Sequence, residues 1–167
     1  MKIEYTDTNL MYVDEKYIAH GVNCMGVMGA GVAKGIRMKF PKVYAEYVAC
    51  CDRFKADPKA LLGSILMVAE GKKVIINCFT QVGMGADQRH VDYDAVRACM
   101  KEINEAASER SDDMDSIYDQ IESDDGIVRI AMPKIGAGLG GGDWAIIEKI
   151  IEEESTNFQP VVCQLVK

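Results

Sequence analysis

Two glycine-rich runs hold the clearest chemical potential in this chain: Met28-Gly29-Ala30-Gly31-Val32 and Ile135-Gly136-Ala137-Gly138-Leu139-Gly140-Gly141-Gly142. Glycine lets a backbone come close to a ligand and adopt positive φ without steric cost. Each run follows a short apolar segment and leads into a helical pattern. The unpaired N–H groups and partial positive charge of a helix start therefore face the loop, an arrangement suited to an anion. One such loop can hold one phosphate, and two suit a diphosphate gripped from both sides. Tight turning alone would account for either loop singly, but less well for the pair.

Polar side chains cluster around these loops. Asn23 ends the apolar run Ile18-Ala19-His20-Gly21-Val22 just before the first loop, where ligands of α/β sheets collect. Its amide offers a donor and an acceptor for ribose hydroxyls, or else caps a turn of its own backbone. His20, with an unperturbed pKa near ~6.5, is either a general acid/base or a buried core histidine. Asp143, just after the second loop, is a third catalytic candidate, able to orient a water. His90 and Asp92 form another acid/base pair, or cap the helix that they precede.

Two familiar phosphate-binding schemes do not fit. A Walker loop requires Gly-Lys-Ser/Thr, whereas Lys34 is followed by Gly35 and the second loop has no lysine. A dinucleotide fingerprint needs a third glycine where Lys34 stands and an acidic residue ~20 positions on; Glu46 is too near and lies in a helical pattern.

Strand-like runs at Lys2–Tyr5, Tyr17–Val22, Ser64–Val68, Lys73–Cys78, Ile127–Met132 and Val161–Val166 must position these residues. Helical patterns lie between them at about 31–39, 44–49, 92–107 and 143–153, with Pro41 separating the first two. Glu70-Gly71-Lys72 reads as a hairpin turn. The alternation predicts a mixed sheet with helices on both faces. Residues 109–125 stand apart: eight acidic residues and one arginine read as a surface insertion.

At 167 residues the chain is read as one domain. A net charge of −7 argues against sequence-independent nucleic-acid binding, which needs lysine and arginine to displace counterions. No apolar stretch approaches the ~18 residues of a membrane span, and no signal-peptide pattern opens the chain. Six cysteines without a CxxC pair, beside two histidines, read as buried thiols in a reducing cytosol rather than a zinc site. The expectation is a cytoplasmic monomer that uses no metal or cofactor and binds neither nucleic acid nor membrane.

The chain resembles the macro domain, the ADP-ribose-binding fold. The matching stretches are His20-Gly21-Val22-Asn23 with Gly29-Ala30-Gly31-Val32-Ala33, then Asn77-Cys78-Phe79-Thr80-Gln81, then the run from Pro133 to Trp144. Phe79-Thr80-Gln81 followed by His90-Val91-Asp92-Tyr93-Asp94-Ala95 is similar to the branch that includes ADP-ribose 1″-phosphate phosphatases. The resemblance implies a three-layer α/β/α sandwich with a mixed central sheet, and ADP-ribose or a derivative lying across the sheet's crest. It implies ligand contacts from Asn9 and Leu10, from Asn23, and from Gly29, Ala30, Gly31 and Val32. Thr80, Gln81, Ile135, Gly136, Ala137, Gly138 and Leu139 complete the implied set. Trp144 would anchor the helix after the second loop. The implied reaction is removal of the terminal phosphate from ADP-ribose 1″-phosphate, with a non-catalytic ADP-ribose reader, a deacylase or an ADP-ribosyl hydrolase as alternatives. Glutamate-directed ADP-ribosyl hydrolases carry a lysine where this chain has Gln81 and an aspartate where it has Gly140. Another hydrolase branch has an acidic residue where this chain has Ala33. The acidic residue common at the adenine end has no clear match; Lys16 is nearest, with Asp14 and Asn9 close by.

Overall fold

The computed structural model describes residues 1–85, 89–108 and 126–164. Among the described residues six strands form one sheet in the order β1 (Glu4–Thr6), β6 (Phe158–Cys163), β5 (Val128–Met132), β2 (Tyr17–Asn23), β4 (Lys73–Gln81), β3 (Ile65–Glu70). Every pairing is parallel except β3 with β4, which form the expected hairpin. Gly71 takes φ +59° at its tip, a conformation glycine adopts without strain.

Helices α1 (Gly31–Lys39) and α2 (Pro41–Arg53) cover one face of the sheet; α3 (Tyr93–Ser108) and α4 (Trp144–Glu154) cover the other. The three-layer sandwich with its mixed sheet is thus observed. Strand periodicity divides β2 between two cores. Tyr17 and Ala19 pack with Ile103, Ile147 and Phe158, whereas Ile18 and Val22 pack with Ile36, Val43 and Tyr47. Burial on both faces explains the nearly continuous apolar sequence of this central strand. None of the described helices is long and apolar enough to cross a membrane.

Element boundaries shift modestly from the sequence reading. Pro41 does not merely interrupt a helix but begins the next: its fixed φ and missing N–H suit the first helical position, and Phe40 before it is driven out of helical geometry (φ −126°, ψ 75°). β4 continues beyond Cys78 to Gln81, carrying Thr80 to the sheet's upper edge. The acidic segment 109–125 lies outside the described residues, as do the last residues of the strand expected at Val161–Val166.

β2 lies between β5 and β4, and the chain leaves β2 and β5 toward opposite faces, into α1 and α4. A crevice must open where the connections diverge, at the carboxyl ends of these strands. Both glycine loops border it.

Candidate functional site

A cleft of about 660 Å³ opens at this divergence. Its lining brings together His20, Asn23, Gly29, Ala30, Gly31, Val32, Thr80, Gln81, Ile135, Gly136, Gly138 and Leu139. The loops approach each other over it: a Cβ on Gly31 would sit 3.6 Å from Leu139 Cδ1.

The first loop is built to donate. Ala30 precedes α1 in extended geometry and supplies no side-chain cap. The first intrahelical bond runs from Lys34 N–H to Ala30 O, at 3.3 Å. The amides of Gly31, Val32 and Ala33 therefore lack an internal partner, and these three residues all line the cleft. The second loop is partly self-satisfied. Ile135, Ala137, Gly141 and Gly142 donate within it, leaving the amides of Gly136, Gly138, Leu139 and Gly140 without a partner among the described residues.

Asn23 adopts the turn role that its sequence position also allowed. A bulge between Val22 and Asn23 shifts the register against β4 and re-aims the side chain. Its Oδ1 accepts from Met25 N–H at 2.9 Å and Val27 N–H at 3.4 Å, while Nδ2 donates to Val27 O at 2.7 Å. The Tyr47 hydroxyl lies 2.8 Å from both Oδ1 and the Asn23 carbonyl oxygen. Half of the Nδ2 donor capacity remains for a ligand. Nothing local in the sequence marked Tyr47, because its contact joins α2 to the end of β2 through tertiary packing. Its ring stacks on Phe79, centroids 6.0 Å apart.

His20 is 1% exposed, with Nε2 2.7 Å from Asn77 Oδ1. Asn77 Nδ2 donates to Leu66 O, so Oδ1 faces the ring and Nε2 carries the proton. Burial pulls the His20 pKa down to about 4, against a smaller upward pull from Asn77. At neutral pH the ring has no proton to release from Nδ1, which has no hydrogen-bond partner among the described residues. A ring that is neutral at that pH accepts but does not donate at Nδ1, so the general-acid half of the role expected of His20 does not fit, although the residue lines the cleft.

Four other expected site residues lie outside the cleft lining. Asp143 is exposed and outside the cleft lining; its carboxylate accepts from Ala145 N–H at 2.9 Å and caps α4. Asn9 likewise caps a short 3-10 turn, Leu10–Tyr12, by accepting from Met11 N–H. Leu10 is buried in the core beneath α1 and α2, and Ala137 packs against the opposite core; neither lines the cleft. Asp92 caps α3 through Ala95 N–H at 3.0 Å, the alternative already open for it.

Pro133, Lys134, Val27 and Met84 line the cleft without having been singled out. The first two lay inside the quoted motif, whereas Met84 carried no signal. Lys134 is the one permanently charged side chain among the described lining residues; its Nζ lies 5.9 Å from the centroid of the Trp144 ring. Trp144 itself is partly buried and donates Nε1–H to Tyr5 OH at 3.0 Å, consistent with an anchoring role.

Comparison with known proteins agrees with this architecture. The family model described as Macro domain matches residues 19–151. An ADP-ribose 1″-phosphate phosphatase of Candida albicans is 33% identical over 138 residues, covering 81% of this chain and 80% of that protein. An uncharacterized 17.5 kDa protein of Enterobacteria phage T4 is 31% identical over 164 residues, covering 93% and 90%. Among solved structures, the macrodomain of Mycobacterium tuberculosis DarG superposes with a TM-score of 0.74 at 23% identity, over 96% of each chain.

Proposed function

We propose that this chain, which belongs to the macro domain family, is a hydrolase that converts ADP-ribose 1″-phosphate to ADP-ribose and inorganic phosphate. The observation that carries the reading is the facing pair of loops with unpartnered amides on both sides of one cleft. A diphosphate bridging them would satisfy donors that otherwise have no partner, without needing lysine. The terminal phosphate is supported by the relatives of this chain that carry the phosphatase name, C. albicans among them.

In this reaction water attacks phosphorus, the bond from phosphorus to the ribose C1″ oxygen breaks, and that oxygen takes up a proton. The loop amides stabilise the charge that develops on the phosphoryl oxygens. Lys134, which lines the cleft, offers the cation that offsets a dianionic phosphate. His20 supplies no proton, so the leaving oxygen is protonated by water. Two features favour the phosphate ester over protein-linked ADP-ribose. Gln81 carries no amine for covalent catalysis, and its Nε2 is engaged by Gly83 O at 2.8 Å. A side chain at Gly140 would meet Gly136 O at 2.8 Å, which leaves no room for an aspartate there.

One observation favours a second reading, a module that holds ADP-ribose without chemistry: His20 is neutral and buried, and Asp143 and Asp92 are occupied as helix caps. Phosphate release from ADP-ribose 1″-phosphate, measured beside calorimetric titration with ADP-ribose, ATP and NAD, separates them. The phosphatase reading expects release, together with binding of ADP-ribose in preference to ATP. Intact binding without release would leave the reader, and no binding would sink both.

A further inference from the structure

The net charge of −7 conceals a strong segregation. Residues 31–45, which form α1 and the start of α2, contain Lys34, Arg37, Lys39 and Lys42 and no carboxylate. Among the described residues only Lys42 of these four has a carboxylate within reach, Glu46 at 4.0 Å. The opposite helical layer is different: α4 carries four glutamates and one lysine, and Arg97 of α3 is held by Glu153 and Glu154 at 2.9 and 2.7 Å. Lys42 also donates to Ala69 O at 3.1 Å, so Lys34, Arg37 and Lys39 are the three of that first set with no carboxylate within reach among the described residues.

The available cations sit beside exposed apolar groups. Tyr12 is 76% exposed and Met38 is 73% exposed, the two largest values among the exposed large hydrophobics. Lys39 joins them: its Nζ donates to Met11 O and lies 5.0 Å from the centroid of the Tyr12 ring. Arg37 lies 5.6 Å from the Tyr44 ring centroid. Ile36, which would give α1 an insertable apolar stripe, is fully buried, so the face lacks the amphipathic character of a membrane-surface helix. Cations spaced along a short helix beside an accessible aromatic ring match a flexible chain of phosphates carrying stackable bases.

We propose that the outer face of α1, with Tyr12 beside it, is a docking surface for single-stranded nucleic acid. Phosphates lie along Arg37, Lys39 and Lys42, and a base stacks on Tyr12. The surface begins one residue past the cleft lining at Ala33 and is independent of the reaction proposed above, so either can fail alone.

The test is fluorescence anisotropy of the full chain with a labelled single-stranded oligothymidylate of about 12 nucleotides, long enough to span one binding surface. Binding should weaken with salt on a log–log slope of about −2 to −3, as expected for three or four neutralised phosphates on a single strand. Lys39→Ala with Lys42→Ala should weaken it about tenfold and roughly halve that slope. Tyr12→Ala should weaken it about tenfold with the slope unchanged. Both variants should keep wild-type melting and wild-type ADP-ribose affinity. The proposal is overturned if no binding is seen at low salt, or if the variants bind like wild type. It is equally overturned if duplex or a polyglutamate chain binds as tightly, if anionic vesicles capture the protein through the same residues, or if the variants act only by abolishing self-association.

Discussion

The two glycine loops have similar composition and different work. In the first, between β2 and α1, glycine serves access: a Cβ on Gly29 would meet only its near neighbour Val27, at 3.5 Å, and the helix start behind it is uncapped. In the second, between β5 and α4, glycine serves packing. A Cβ on Gly136 would lie 2.6 Å from Val91 Cγ2, and one on Gly142 would lie 2.7 Å from Val91 Cγ1 and 2.8 Å from Gly136 O. The helix after that loop is capped by Asp143. One loop therefore offers donors, while the other forms a rigid wall that also offers donors. Glycine content alone does not reveal which job a loop performs.

The sharpest way to break this contrast is Gly136→Ala. Positive φ (+75°) and the contact with Val91 should cost about 4 kcal/mol in chemical denaturation, from strain and overpacking together. A loss below about 1 kcal/mol would mean that the wall is soft. Gly31→Glu tests the donor loop instead. It should lower ADP-ribose affinity by at least about 100-fold in calorimetry, because a carboxylate would enter the anion site. Unchanged affinity would remove the first loop from the ligand.

Between the loops, the buried His20 should make stability depend on pH. Its folded pKa, near 4, lies below the ordinary histidine value of 6.5, so the unfolded chain binds more protons between those values. Stability is therefore full above about pH 6.5 and is lost as pH falls toward 4, by about 3 kcal/mol from this residue. His20→Gln should flatten that window in denaturation midpoints; an unaltered profile would mean that the imidazole is not buried as described. Smaller again, Asp143→Ala should cost about 1 kcal/mol for the lost cap while phosphate release stays at the wild-type rate. A large fall in turnover with normal stability would return Asp143 to the chemistry. Gly138→Ala, where a Cβ meets nothing within 4 Å, should change stability by less than about 0.5 kcal/mol and calibrates the series.

Periodicity and glycine placement made the layers, the hairpin and both loops legible, because each is a local pattern that the backbone must obey. Side-chain roles were harder to read. Asn9, Asp92 and Asp143 all stand just before helical turns, where a carboxylate or amide cap is available to any short polar side chain. Sequence could not say whether each would cap or face a ligand. The depressed His20 pKa depends on the helical layers packed on both faces of the sheet, and Tyr47 reaches Asn23 across 24 residues of chain. Neither leaves a trace at short range. The charge segregation was readable throughout, but a single net value averages it away.

Gly140 sets a limit on what descent can do with this scaffold. Any residue other than glycine there presses a Cβ against a carbonyl oxygen that also closes the wall through Gly142 N–H. A lineage could reach an acidic side chain at that point only by first rebuilding the loop, passing through forms that lose stability before they gain a reaction. Single substitutions at Gly140 are thus confined to forms that strain the second loop.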